Sequence, residues 1–170
     1  TMAAAVVGAG GRGAMLDVHA AWLEESAANI RSIGGEDCAL PIVVDVTDPD
    51  AVTDAVSRVI KELGGLHILM NNAGVWVPDS FREVSIESWQ RIRAINLDGP
   101  FYMAKAVVEH MIGQGWGRII GVTTSLASMW TATNTTYGSS KAGHEALASV
   151  MALELKDTGV TSNVLVPGGN

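Results

Sequence analysis

The fold is decided by residues 40–74, which read LPIVVDVTDPDAVTDAVSRVIKELGGLHILMNNAG. The β-branched run at residues 40–46 predicts a buried strand, and the apolar run at residues 67–70 predicts another. Between them, Asp48-Pro49 is a typical helix start, with a capping carboxylate followed by proline in the first turn. Gly64-Gly65 ends this helix. Its apolar stripe consists of Val52, Val56, Val59 and Leu63. A helix that joins two strands predicts that the strands are parallel.

The same alternation of strand and helix signals extends over the rest of the chain. Short apolar or β-branched runs predict strands, and longer segments with apolar residues at helical spacing predict helices. The other predicted strands are residues 3–7, 14–17, 118–123 and 160–166. The other predicted helices are residues 20–33, a stretch from Ser85 that Gly99-Pro100 breaks or kinks, and residues 136–156. This order predicts an α/β fold with a doubly wound parallel sheet.

Composition and charge exclude several classes of function. The formal net charge of −7 disfavours nucleic-acid binding, because an acidic chain repels phosphate. No apolar run reaches the roughly 18 residues that span a bilayer, and residues 2–7 lack the length and basic flank of a signal peptide. Cys38 is the single cysteine, so an internal disulfide is excluded. We therefore expect a cytoplasmic protein without nucleic-acid or membrane partners.

A glycine-rich turn follows the first predicted strand. Gly8, Gly10 and Gly13 fit the pattern G-x-G-x-x-G, in which the backbone can approach a pyrophosphate. A turn without any ligand is the alternative. Such a motif normally opens a helix, whereas no helix fits between Gly13 and Asp17.

Polar residues follow the later strands, where ligands bind in folds of this class. Asp45 can accept a hydrogen bond from an adenine amino group, and a helix cap or turn residue is an equal alternative. The segment Asn71-Asn72-Ala73-Gly74 can bridge strand ends and admit a ligand, or form an ordinary turn. The hydroxyls of Thr123-Thr124-Ser125 can orient a substrate carbonyl, or simply end a strand.

Tyr137 and Lys141 form the central feature of the sequence. Residues four apart share one face of a helix, so the two side chains can project together. An ammonium near a phenol favours the phenolate, which makes Tyr137 a candidate general acid and base. A solvated surface pair is the alternative.

Taken together, these segments resemble the short-chain dehydrogenase/reductase family. The resemblance covers most of the chain and runs through seven motifs in order: the glycine-rich turn, Asp45-Val46, Asn71-Asn72-Ala73-Gly74, Asn96, the hydroxyl-rich strand end, Tyr137-x-x-x-Lys141 and Pro167-Gly168. It implies a Rossmann-type sheet and an NAD(P)-dependent oxidoreductase. Such an enzyme transfers a hydride between a nicotinamide cofactor and a secondary alcohol or ketone.

The resemblance also implies residue roles. Tyr137 would transfer a proton to or from the substrate oxygen, and Lys141 would support it and hold the nicotinamide ribose. Asn96 would support a water in the proton relay. The family places a serine thirteen positions before the tyrosine, which here is Thr124, and its neighbour Ser125 stays an alternative.

The cofactor-binding residues that the resemblance implies lie along the whole chain. They are Gly8, Gly10, Gly13, Asp17, Asp45, Val46, Asn72, Ala73, Gly74, Tyr137, Lys141, Pro167 and Gly168. Asp17 resembles the acidic residue that ends the second strand of the family, where a carboxylate accepts ribose hydroxyls and favours NAD over NADP. Arg12 is a counter-signal, because a basic residue there can accept a 2′-phosphate.

Two departures from the family pattern remain. The first crossover helix is missing after the glycine turn, and the chain stops just after Pro167-Gly168, where the family continues with its substrate region. Either the protein is truly abridged, or segments of it are missing here. We expect the second: residues 1–170 form a single dinucleotide-binding domain that is incomplete at its C-terminus, with a chain break between Gly8 and Asp17. We also expect the protein to continue beyond Asn170.

Two other functions compete with the dehydrogenase. One is a non-catalytic dinucleotide-binding or scaffold protein, which needs no proton relay, and the other is a sugar-nucleotide epimerase, which also uses Y-x-x-x-K.

We expect a small-molecule alcohol or carbonyl substrate and a homodimer or homotetramer that pairs the helices at residues 97–112 and 136–156. Trp76, Met129 and Trp130 either line the substrate pocket or serve packing. The four histidines show no metal-ligand grouping.

Overall fold

The computed structural model describes residues 2–167, which form five strands and seven α-helices. The strands are β1 (Gly13–Asp17), β2 (Ala39–Val43), β3 (Ile68–Asn71), β4 (Gly117–Val122) and β5 (Val160–Leu165). The helices are α1 (Met2–Gly8), α2 (Ala20–Gly34), α3 (Pro49–Leu63), α4 (Ile86–Arg93), α5 (Gly99–Gly113), α6 (Leu126–Met129) and α7 (Thr135–Glu154). A short 3-10 turn spans Glu36–Cys38, and a π-helical segment, Ala94–Asp98, joins α4 to α5.

The described residues divide into two compact units. The first unit comprises residues 2–45 and 50–65, and the second comprises residues 46–49 and 66–167. That residues 1–170 form one domain stays a prediction.

The first unit is built around a parallel pair of strands. β1 pairs with β2 so that Gly13 lies opposite Ala39 and Asp17 lies opposite Val43. α1 and α2 cover this pair through a core that consists of Val7, Ala27, Ile30, Cys38 and Ala39, with Ala3, Ala4 and Met15 packed against it. The predicted α3 is present, and three residues of its apolar stripe, Val52, Val56 and Val59, are buried.

The predicted first strand is wrong, because residues 3–7 belong to α1. A run of five apolar residues carries no periodicity that separates strand from helix, and its three alanines are strong helix formers. The amides of Gly10 and Gly11 donate to the carbonyls of Val7 and Val6 at 2.9 and 3.0 Å. Gly10 has a φ of 87°, a left-handed conformation that is common where a helix ends.

This correction removes the reason for a chain break. A helix does precede β1, and the glycine turn connects its end to the start of that strand. One turn is enough for this connection, whereas a link between two parallel strands would have needed about a dozen residues. The segment that was predicted to be a strand is therefore a helix that leads into β1.

The second unit contains a three-stranded parallel sheet in the order β3-β4-β5. In the register, Ile68 lies opposite Arg118, and Gly117 lies opposite Val160. α5 and α7 pack on the sheet where β4 has glycines. A methyl group on Gly117 would contact Met111 of α5, and one on Gly121 would contact His144 of α7. The predicted α/β class with parallel strands is confirmed.

The helical stretch from Ser85 differs from the prediction at its middle. α4 begins as predicted, with the Ser85 hydroxyl accepting a hydrogen bond from the Ser88 amide at 3.0 Å. Instead of breaking at Gly99-Pro100, the helix widens into the π-helical segment and Pro100 then occupies the first turn of α5.

Within residues 2–167, no helix combines the length and apolar character that a membrane crossing requires.

Candidate active site

Lys141 lies at the centre of the candidate site. It is 4% exposed, and its Nζ donates a hydrogen bond to the Val122 carbonyl at the end of β4, at 2.8 Å. Burial lowers the pKa of Lys141 from its ordinary value, because the charged form loses its hydration. The lysine is therefore fixed at the carboxyl end of the sheet, where ligands bind in this class of fold.

Tyr137 lies one helical turn before Lys141 and shares its face of α7. The Lys141 Nζ is 5.9 Å from the centroid of the tyrosine ring, and the ring is half-buried. The pair has the chemistry of a general acid and base at the edge of a partly dry site.

Asn96 connects this pair to the loop after β3. It is fully buried within the π-helical segment, a local irregularity that often occurs at functional sites. Its Oδ1 accepts from the Val75 amide at 2.8 Å, and its Nδ2 donates to the Val75 carbonyl at 2.9 Å and to the Ser140 hydroxyl at 3.1 Å. The Ser140 hydroxyl in turn donates to the Tyr137 carbonyl at 2.8 Å.

These bonds limit what the Asn96 side chain can offer to a water. Both N–H donors are used inside the protein, so one acceptor position on Oδ1 remains. The Asn96 side chain therefore mainly joins Val75 to Ser140 through hydrogen bonds.

The segment Asn71-Asn72-Ala73-Gly74 borders the same cluster. Asn71 is buried, and its Nδ2 donates to the Pro100 carbonyl at 3.1 Å. Asn72, Ala73 and Gly74 are exposed. A methyl group on Gly74 would lie 3.3 Å from Lys141 Nζ and 3.4 Å from Asn96 Oδ1. Glycine thus leaves space directly beside the ammonium.

Three hydroxyl residues follow β4 and differ in their partners. The buried Thr123 hydroxyl donates to Glu145 Oε1 at 2.8 Å. The Ser125 hydroxyl caps α6, where it accepts from the Ser128 amide at 3.3 Å and lies 3.2 Å from the Ser128 hydroxyl. Thr124 is half-buried between them. Two of the three hydroxyls are therefore engaged within the protein, one with a side chain of α7 and one with the backbone of α6.

The residues of the first unit that were predicted to bind the cofactor lie at opposite ends of the β1–β2 pair. Asp17 is the last residue of β1 and is exposed, and its Oδ1 accepts from the His19 amide at 2.9 Å. Asp45 follows the neighbouring strand β2 and is also exposed. Both carboxylates thus lie beyond the carboxyl ends of a parallel pair, as predicted from their positions.

Gly8, Gly10 and Gly13 lie at the opposite, amino end of β1, so their assignment to a pyrophosphate-binding turn is corrected. In this class of fold the pyrophosphate binds where a strand ends and a helix begins, whereas these glycines end a helix and begin a strand. The Arg12 guanidinium in the same turn donates to the Leu63 carbonyl at the end of α3. This contact supports the first unit at this end, and Arg12 as a counter-signal for NADP stays a prediction.

The last predicted residues lie elsewhere in the second unit. Val46 packs against the start of α5, where a methyl group on Gly99 would be 2.9 Å from Val46 Cγ2. Pro167 follows β5. Gly168 lies outside the described residues.

Sequence reasoning missed His144, one turn after Lys141 on α7. The imidazole is 2% exposed, and its Nδ1 has no hydrogen-bond partner among the described residues. Burial, together with the positive charge of Lys141, lowers the pKa of His144 to about 4. Its spacing of seven from Tyr137 was the available signal, because residues seven apart return to the same helical face.

The three residues predicted either to line a substrate pocket or to serve packing lie at or next to one cavity. Met129 and Trp130 line a cavity of about 750 Å³ that also reaches Phe81 and Ser139 but is lined by neither Tyr137 nor Lys141. The Trp76 indole donates at 2.8 Å to Oδ1 of Asn134, which also lines this cavity. The part of the chain that the structure describes contains no group of three or more metal-ligating side chains.

Comparison with known proteins identifies the family of the chain. The chain matches the family model described as short chain dehydrogenase over residues 1–170. It is 37% identical over 142 residues to the 2,5-dichloro-2,5-cyclohexadiene-1,4-diol dehydrogenase of Sphingobium indicum, covering 84% of this chain and 56% of that protein. It is 34% identical to the D-beta-hydroxybutyrate dehydrogenase of Rhizobium meliloti, covering 73% and 48%.

Solved structures share the fold at high similarity. An NAD+-bound xylitol dehydrogenase superimposes with a TM-score of 0.91 at 30% identity, over 99% of this chain and 66% of that one. A short-chain type dehydrogenase/reductase from Mycobacterium marinum gives a TM-score of 0.91 at 33% identity, over 98% and 66%. The chain spans about half the length of the curated relatives that it matches. With a family model matched along its whole length, a Rossmann-type fold and the Tyr137–Lys141–Asn96 cluster in place, the chain belongs to the short-chain dehydrogenase family.

Proposed function

We propose that the protein is an NAD(P)-dependent oxidoreductase that interconverts a secondary alcohol and a ketone. One observation carries the proposal: Tyr137, the buried Lys141 and Asn96 form a single cluster joined through Ser140 and Val75. A non-catalytic dinucleotide-binding protein needs no proton donor next to this lysine, whose burial costs free energy.

The residues fit a nicotinamide dinucleotide. Gly74 has no side chain that would crowd the Lys141 ammonium, and an ammonium can donate to ribose hydroxyls. The exposed Asn72, Ala73 and Gly74 lie at the end of β3, and Pro167 follows β5. We propose that these residues, with Val46 and Gly168, contact the cofactor. A bound nicotinamide supplies the site that accepts or donates the hydride.

The chain itself supplies the proton. In the direction of reduction, the Tyr137 hydroxyl donates its proton to the substrate oxygen, and in oxidation the phenolate accepts one. The Lys141 ammonium stabilises the phenolate that results from donation. Asn96 keeps the helix that carries both residues attached to the loop after β3, so that the proton donor is held in one position.

Thr124 is our candidate for the hydroxyl that orients the substrate oxygen. Its two neighbours use their hydroxyls elsewhere, Thr123 on Glu145 and Ser125 on the start of α6. The Ser125 hydroxyl is the acceptor in its helix cap and keeps its own proton, so Ser125 stays the alternative.

Cofactor preference is proposed to lie in the first unit. Asp17 and Asp45 present carboxylates beyond neighbouring strands. A carboxylate at Asp17 accepts ribose hydroxyls and repels a 2′-phosphate, so NAD is preferred over NADP. We propose that Asp45 accepts a hydrogen bond from the adenine amino group.

The substrate is proposed to be a small alcohol or carbonyl compound, and the enzyme a cytoplasmic homodimer or homotetramer. The similar proteins are named for a cyclic diol, a hydroxy acid and a sugar alcohol. All three are secondary alcohols, so a panel drawn from these classes is the first set to assay.

Replacing Tyr137 tests the proposed chemistry. In the complete protein, Tyr137→Phe keeps the ring and removes the transferable proton, so kcat should fall by about 10²- to 10⁴-fold. NAD affinity, measured by calorimetry, should change little. Tyr102→Phe removes the other tyrosine hydroxyl of the chain and should keep full activity. A Tyr137→Phe variant with near-normal kcat would refute the mechanism.

A further inference from the structure

We propose that Asp79 is a positioning residue for Tyr137, through a hydrogen-bonded cap on the first turn of α7. This inference rests on the proposed function, because it concerns the placement of the proposed proton donor. The residue lies in the loop after β3, 57 positions before its main partner, Thr136.

The start of α7 needs a partner from outside the helix. Helix N-termini carry unsatisfied amides and a partial positive charge. The N-cap residue, Asn134, makes no side-chain capping bond, and the first turn contains no acidic residue. Asp79 supplies both missing features: its Oδ1 accepts from the Thr136 amide at 3.2 Å, and its Oδ2 accepts from the Thr136 hydroxyl at 2.6 Å.

The backbone of Asp79 strengthens the same attachment. Its amide donates to the Thr133 carbonyl at 2.8 Å, and its strand-like pairing with Asn134 is parallel. Thr133 has a φ of 68°, a left-handed conformation that a β-branched residue rarely adopts. The turn before Tyr137 is therefore held in a strained shape by contacts with Asp79.

The other end of the same loop holds the rest of the site. We call residues 74–79 the strap. At one end of the strap, Gly74 lies beside Lys141 Nζ, and Asn96 binds both the amide and the carbonyl of Val75. At the other end, Asp79 binds the residue that precedes Tyr137. The strap thus fixes the proton donor relative to its lysine and asparagine from a single piece of chain.

Loss of the Asp79 carboxylate should change the position of Tyr137. Thr136 is 2% exposed, so water cannot easily replace the carboxylate as its partner, and unpaired buried groups are costly. The first turn should open and displace the phenol. A displacement of about 1 Å in a catalytic group can lower a rate by about 100-fold.

The test compares Asp79→Ala and Asp79→Asn in the complete protein. Asp79→Ala should lower kcat by about 10- to 100-fold with little change in KM, and Asp79→Asn, which keeps one acceptor oxygen, should retain an intermediate kcat. Adding Thr136→Val to Asp79→Ala should cause little further loss, because the two residues act through one contact. Glu87→Gln is the matched control, since Glu87 is a carboxylate in the first turn of another helix, α4.

Amide hydrogen exchange provides a readout that does not need activity. Asp79→Ala should accelerate exchange at residues 136–138 and leave the end of α7 protected. Unchanged exchange there, or a kcat no lower than that of Glu87→Gln, would overturn the inference. If the wild-type protein transfers no hydride, the proposed function fails, while the exchange data still decide whether Asp79 holds the first turn.

Discussion

Gly138, the residue after Tyr137, shows how closely α7 packs at the candidate site. A methyl group at this position would lie 2.1 Å from the Met129 carbonyl oxygen, which is a backbone atom at the end of α6. We expect Gly138→Ala to lower the free energy of unfolding by about 1–3 kcal/mol, because backbone must move to admit the methyl group. Denaturant unfolding measures this change.

Gly113→Ala is the control for Gly138→Ala. Gly113 ends α5, and a methyl group there meets no atom within 4 Å. Its stability should be unchanged or slightly raised, since alanine is the better helix former. Equal free energies of unfolding for the two variants would show that the backbone of α6 moves to admit the methyl group without loss of stability.

His144 makes the stability of the protein depend on pH. Its pKa in the folded chain is about 4, below the ordinary value of about 6.5 that an unfolded chain shows. Between these values the unfolded chain binds more protons, so the free energy of unfolding falls as the pH drops from about 6.5 to about 4, by up to about 3 kcal/mol. His144→Leu should remove this part of the pH dependence.

Urea unfolding at a series of pH values measures the effect of His144. His19→Gln is the control, because His19 is an exposed histidine. The same slope in wild type and His144→Leu would contradict the interpretation of His144 as a buried neutral imidazole.

Elements differ in how much their own sequence determines them. α3 has an apolar stripe over 15 residues, so periodicity predicts it well. Residues 3–7 are too few for periodicity, and the glycine pattern after them suggested a strand-to-helix turn when the order is helix to strand. Tyr137 and Lys141 could be paired because four-residue spacing is a local property. Asp79 could not be found this way, since its contact with Thr136 forms only in the tertiary structure.

Two helices carry the predicted self-association. Phe101 on α5 is 46% exposed, and Val150 and Leu153 on α7 are 51% and 77% exposed. Apolar side chains on helices that pair between subunits become buried on assembly. We expect sedimentation at micromolar concentration to give a dimer or tetramer. Leu153→Glu should shift this species toward the monomer, whereas Ile33→Glu, on α2 of the first unit, should not.

For the whole molecule, the main prediction is its choice of cofactor. The wild-type kcat/KM should be higher with NAD than with NADP, because the Asp17 carboxylate repels a 2′-phosphate. Asp17→Ala should narrow this preference. Asp37→Ala removes another exposed carboxylate of the first unit and should leave it unchanged. A wild-type enzyme that works better with NADP would contradict the role given to Asp17.

The core of the first unit also contains a thiol whose labelling rate can be measured. Cys38 is the single thiol of the chain, 5% exposed, with its Sγ donating to the Ile30 carbonyl at 3.4 Å. A thiol reagent can reach it only while α2 and β2 are apart. The labelling rate therefore reports how often this unit opens, and comparing it with and without NAD would reveal whether the cofactor slows that opening.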